Sequence, residues 1–493
     1  MTATRAPRRL SALLALLLAA SAQAQRVDPA DASLLALRQA VTFSESGAQH
    51  PRLVALRTLK DPGMKPIFEA LVKAEAAPLR LDGLLGLAEL SGDAGADPAL
   101  LRSIGDPALR TVAITECLGL QLLKPQAIRT ILGWKDLPAY DRALLVAELN
   151  RYHEPWDTKM LDGANADTTA EVLGLVALLH LERGDNGPWN AFLAKADGVS
   201  PADRADLLRR LADAARHYEL KATIAPLLAA TETSSGADRL STIAAAIALD
   251  PARGRESLLR LAQSERTPSN LTQCGLLMLA GDKTFETGDF ASIRGVSGIA
   301  DLIAAAGESV RAGGQDPAPL VALMQSGNRP AAEWALHEVA KLPAPARKAA
   351  LLGAIDRLDT LEQPSMHDRL LAALATRELI PTDAADLAMR ACRQNGRAEV
   401  PESIVTAMCD LGTPDAATFA RMVRGKLAQR GESMALVTIA KTAPTLNAAE
   451  LRELGRIGGG GGRVEDPIQM QAAWLYLRHA NKLGTAVPQL TPR

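Results

Sequence analysis

The seven histidines and four cysteines are the residues best equipped for metal binding, redox or acid–base chemistry in this chain of 493 residues. Such chemistry needs ligands at close, recurring spacing, and the histidines have none. No His-Glu-x-x-His or comparable pair occurs. His180 falls on an apolar helical face, where a histidine is a hydrogen-bonded core residue. His153 beside Glu154, and His217 near Glu219, read as charges at helix ends. A Gly-x-x-x-x-Gly-Lys-Ser/Thr phosphate loop, a Gly-x-Ser-x-Gly nucleophile elbow and a Cys-x-x-Cys-His haem attachment are all missing from the sequence. The sequence therefore nominates no catalytic residue, no metal ligand and no cofactor.

The cysteines each share a stripe with apolar neighbours: Cys117 with Val112, Ala113 and Leu120, Cys274 with Leu271 and Met278, Cys392 with Ala388 and Met389, Cys409 with Val405 and Met408. They read as small core residues. Cys392 and Cys409 form the one plausible pair, on successive helices of a hairpin around Gly396. With the turn near Arg397, Cys409 lies about 9 Å beyond the residue opposite Cys392 at about 1.5 Å per residue. A disulfide tolerates Cα atoms no more than about 7 Å apart, so free thiols are expected.

Trp134, Trp156 and Trp189 are the candidate binding residues, since they fall in three consecutive units and tryptophan is enriched at binding hot spots. Trp156 and Trp189 directly follow Pro155 and Pro188, which suits a structural staple at a helix start equally well. That second reading is favoured, because matched repeat positions serve the stacking that every unit needs. The pairs Glu432-Ser433 and Glu402-Ser403 resemble the glutamate-serine pair of lytic transglycosylases. The Gly-Leu-Met-Gln segment of those enzymes is absent, and residues 431–445 contain no aromatic platform for a sugar.

These residues must be held by helices. Aromatics are 3% of the chain while hydrophobic residues reach 47%, so the core is leucine and alanine packed helix on helix. Leu81, Leu84, Leu85 and Ala88 stand at i, i+3, i+4 and i+7, as do Leu173, Val176, Ala177 and His180, and Leu271, Cys274, Gly275 and Met278. Pro155-Trp156-Asp157 returns as Pro188-Trp189-Asn190. Ala202-Asp203-Arg204 returns as Ala237-Asp238-Arg239, and Pro78-Leu79-Arg80 is answered by Pro107-Ala108-Leu109-Arg110. A period wandering over about 29–36 residues is one helical hairpin per unit.

In this pattern the chain resembles the HEAT-like α-solenoid repeats. The resemblance implies an all-α fold of antiparallel helix pairs stacked side by side. Tetratricopeptide repeats are the nearest rival, but their Trp-x-x-Leu-Gly-x-x-Tyr pattern is absent. Between Asp31 and Leu483 there is room for roughly 14 units, an arc or superhelix with a contour on the order of 140 Å and one concave face.

Residues 1–24 read as a signal peptide: basic Arg5, Arg8 and Arg9, an apolar run from Leu10 to Ala20, and cleavage between Ala24 and Gln25 after Ala22-Gln23-Ala24. The run is shorter than the ~20 residues of a bilayer span, so no membrane insertion is expected after its removal. The expected organisation is a helical lobe over 25–280, a glycine-rich irregular segment over 281–316, a second lobe over 317–484 and a flexible tail over 485–493. Removing three leader arginines leaves 52 basic against 56 acidic residues, a formal charge of about −4. A nucleic-acid partner, which rewards clustered positive charge, is not expected. Arginine outnumbers lysine 41 to 14 and alanine is abundant, which fits a GC-rich bacterial genome. The expected location is periplasmic or secreted. The expected function is a non-catalytic scaffold or adaptor that binds another protein through the concave surface. The alternative is an all-helical enzyme acting on cell-wall material or polysaccharide.

Overall fold

The computed structural model describes residues 28–42, 51–161, 169–314, 316–359, 393–394, 397–398, 416–425, 429–460 and 466–490. The leader, Cys392, Cys409 and the Glu402-Ser403 pair lie outside the described residues. The fold is all-α, with consecutive helices packed in pairs. Its one extended element among the described residues is a two-residue antiparallel pairing of Arg393 with Ala398 and Gln394 with Arg397.

Long helices open at Ala77, Arg110, Ala139, Ala170, Pro201, Gly236, Pro268, Gly298 and Arg329, in steps of 33, 29, 31, 31, 35, 32, 30 and 31 residues. Between them run second helices such as Pro98–Ile104, Pro125–Leu132, Gly187–Ala196 and Ala318–Met324, each with proline in its first turn. Proline there forfeits only an N–H with no helical partner. Ser200, Ser235 and Ser297 cap their helices by accepting the backbone N–H of Asp203, Asp238 and Ala300. The stops are equally regular. Gln121, His153, Gly184, Glu219 and Asn481 take positive φ just past a long helix. The next residue then donates its N–H five residues back, as Leu122 does to Cys117 and Leu220 to Ala215.

Each long helix packs on the long helix of the next unit, from Ala77–Ser91 through to Arg329–Ala340. Asn150, at the end of Ala139–Arg151, donates past the intervening helix to the carbonyls of Tyr218 and Glu219.

The ends of the array meet, which an open arc would not allow. The first described helix, Pro29–Thr42, packs against Ala448–Gly458, Asp466–His479 and Leu483–Leu490, and Pro51–Arg57 packs on Asp466–His479. Leu37, Leu53 and Phe68 share one buried cluster with Leu436, Leu454 and Trp474. Polar bonds cross the same joint: Trp474 Nε1 donates to Asp61 Oδ2 (3.0 Å), Arg38 to Gln489 and Lys482 to Asp28. A terminal repeat has an apolar face with no neighbour to cover it. Here each terminus covers the other.

Two segments are more ordered than composition suggests. Within 281–316 stands the helix Gly298–Arg311, which packs on Pro268–Ala280 and Ala318–Met324. Glycine is used there for close approach, since a Cβ at Gly307 would lie 2.3 Å from the ring of Phe290. Residues 485–490 belong to the helix Leu483–Leu490, whose Ala486 and Leu490 are buried. Gly458, the first of the five successive glycines at 458–462, ends the helix Ala448–Gly458, where a Cβ would meet the Cα of Ala473 at 2.6 Å.

Candidate functional site

The joints between units take up a recurring arginine. It sits in the opening turn of a long helix and reaches back to carbonyl or carboxylate oxygens at the end of the preceding segment. Arg80 donates to the carbonyls of Ala74 and Glu75, Arg110 to that of Gly105, Arg142 to those of Leu132 and Trp134, and Arg347 to that of Ala340. Several also reach one unit forward, Arg80 to Asp106 and Arg110 to Asp136. Helix C-termini expose carbonyls that favour a cation. The guanidinium fork can serve two helices at once, which lysine cannot.

The tryptophans lie in these joints too. Trp156 is buried, its Nε1 donating to Asn150 Oδ1 at 3.1 Å and its face covered by Arg183 at 4.0 Å. Trp189 is buried and stacks on Phe192. Trp134 is half-buried beside Arg110. The faces of Trp156 and Trp189 are thus occupied by their own chain. His180 bonds through Nδ1 to Asp185 at 3.0 Å, and His153 lies 3.6 Å from Glu219. Glu432 accepts the backbone N–H of Gly425, while Ser433 is buried.

Cys117 and Cys274 are free and buried. Burial pushes each thiol up to about 12, so little reactive thiolate exists at neutral pH. Native alkylation is expected to leave both unmodified while denaturant exposes them. Mass spectrometry of tryptic peptides checks this, and rapid native labelling of either would contradict the packing.

Open to solvent, among other surface, is a row across four long helices. Thr111 donates to Asp141 at 2.9 Å, and the adjacent residues Val112 and Tyr140 are exposed by 47% and 37%. Burial raises the Tyr140 hydroxyl, with the charges of Asp141 and Glu171 adding to it, and Glu171 pairs with Arg210 at 2.6 Å. Arg210 in turn bonds Asp206. The row therefore runs from apolar to charged. Asp141 lies wholly buried beneath it, and its Oδ1 has no partner among the described residues. Burial raises its carboxyl, opposed by Thr111 and the charge of Arg110.

No family model, curated protein or solved structure matches this chain. The row therefore has to be read from its own chemistry. It was not singled out in the sequence, because Val112 and Tyr140 look like any other apolar residue of a helix start. The arginines were in view, as Arg80, Arg110, Arg204 and Arg239 close the repeated triplets and quartets, yet only the joints reveal their purpose.

Among the described residues no group of three or more His, Cys, Asp or Glu side chains could hold a metal, and no helix is long and apolar enough to cross a membrane.

Proposed function

We propose that this chain is an exported, non-catalytic scaffold or adaptor, delivered to the periplasm or secreted after cleavage between Ala24 and Gln25, which binds another protein across several repeat units. The observation that carries this reading is a division of labour. Recurrent arginines and tryptophans are engaged in the joints, while Val112 and Tyr140 on the same helices stay exposed beside the charged pair of Glu171 and Arg210. Exposed apolar side chains beside charged ones give a partner both burial and register. Rigid stacking lowers the ordering cost of binding.

Photo-crosslinkers placed at positions 112 and 140 are expected to trap the same protein from an envelope extract, and Tyr140→Glu to abolish the capture with helical content unchanged. A hydrolytic activity on cell-wall material that Asp141→Asn eliminates, with the melting curve intact, would overturn this reading in favour of an enzyme.

A further inference from the structure

One recurrent arginine has no joint to serve. Arg239 stands at the same place in Gly236–Leu249 as Arg204 does in Pro201–His217, the fourth residue of its helix. Arg204 bonds Asp197 and the carbonyl of Ala230. The Arg239 guanidinium makes no hydrogen bond or ion pair with any described residue.

The counterpart of Asp197 is Glu232, exposed and not bonded to Arg239, and the rest of the difference lies one unit on. Arg80, Arg110 and Arg204 each find an acceptor 26 residues later, at Asp106, Asp136 and Ala230. The residue 26 after Arg239 is Glu265, and its carboxylate is already taken by the backbone N–H groups of Arg266 and Thr267 and by Asn270 Nδ2 at 2.7 Å. These bonds, that of Asn270 first, pull Glu265 down to about 2.

Arg239 is left half-buried in an open cleft of about 400 Å³ between Ile224–Thr231 and Pro251–Ser264. Ser257 also lines it, and its hydroxyl has no partner among the described residues. The other charges there largely compensate one another: Arg260 pairs with Glu256 at 2.6 Å and Arg253 with Asp250 at 3.3 Å, while Glu232 is exposed. Leu228 and Ile243 supply an apolar wall.

We propose that this cleft binds an oxyanion, a carboxylate or phosphate group carried on a short apolar segment, with Arg239 as its fork and Ser257 as a second donor. A guanidinium presents two parallel N–H groups that match such an anion. Partial burial shields the pair from salt. The volume falls within the range of small-ligand sites. This site is separate from the protein-binding row, so either proposal can fail alone.

Calorimetric titration at fixed ionic strength, with inorganic phosphate in one arm and butyrate in the other, tests it. Saturable binding of at least one probe is expected, weakened about tenfold or more by Arg239→Gln, as the loss of a charge-assisted bond implies. Tighter phosphate binding assigns a phosphate ligand, and tighter butyrate binding a carboxylate on an apolar stem. Should Arg239→Gln lower the melting temperature, Ser257→Ala decides, with an expected loss of several-fold in affinity. Failure of both probes to saturate overturns the assignment, as does an unchanged affinity in the deciding variant.

Discussion

Alanine in place of Trp474 will cost about 3–5 kcal/mol, the usual penalty for emptying a large aromatic site, and will loosen both ends of the chain together. The indole is fully buried in the cluster that joins Leu37, Leu53 and Phe68 to Leu436 and Leu454, and its N–H holds Asp61 at 3.0 Å. Asp61 also caps the short turn Pro62–Met64 by accepting the N–H of Gly63. Two halves of one joint therefore depend on a single side chain more than 400 residues away from its partner. In a repeat array stability is local and passes between neighbours. Hydrogen exchange should accordingly quicken in residues 51–71 and 466–490 at once, and remain slow in 139–249. Acceleration confined to the C-terminal helices would show that the ends merely touch.

The units were legible because a buried helical face leaves a period in sequence. The long-helix starts from Ala77 to Arg329 recur within the expected 29–36 residues, and the stripe Leu81, Leu84, Leu85 and Ala88 is buried as its spacing requires. Closure was not legible, since Leu37 or Trp474 looks the same whether a neighbouring unit or the opposite terminus covers it. One signal was present. Terminal repeats of an open array carry a polar outer face, whereas Pro29–Thr42 and Asp466–His479 are as apolar as interior helices, with Leu37, Val41, Trp474 and Leu477 all buried.

Glycine misled for a related reason. Its low helix propensity argues for a break over 281–316, but Gly307 stands in a helix because the Phe290 ring needs the missing Cβ. Propensity is local and such close approach is not. The same limit hid the unpaired guanidinium of Arg239: the triplet Ala237-Asp238-Arg239 matches Ala202-Asp203-Arg204, and what separates them is the diversion of Glu265 to the next helix start and a Glu232 that, unlike Asp197, does not bond its arginine. The exposed row was hidden likewise, because the Thr111 to Asp141 bond that ties its first two helices joins residues 30 apart.

Arg57→Ala should be the most damaging change to a charged residue. Arg57 ends the helix Pro51–Arg57 with its side chain only 5% exposed, donating to Asp82 at 3.0 Å and through two nitrogens to Glu89 at 3.1 and 3.3 Å. Both acids lie on Ala77–Ser91, so the fork ties the closing joint to the first regular unit. Removing it would leave Asp82, itself 3% exposed, charged and without this cation. Removing one partner of a buried ion pair costs about 3–5 kcal/mol. Arg57→Lys should recover only part of this, because an ammonium cannot hold two carboxylates through a planar fork. The triple change Arg57→Met, Asp82→Leu, Glu89→Leu should recover most of it, as an apolar replacement removes the desolvation cost together with the attraction. Urea unfolding of the three variants beside the parent distinguishes the cases. A loss below about 1 kcal/mol for Arg57→Ala, the scale of a solvent-exposed pair, would mean that water reaches Asp82 and that the joint is held by its apolar contacts alone.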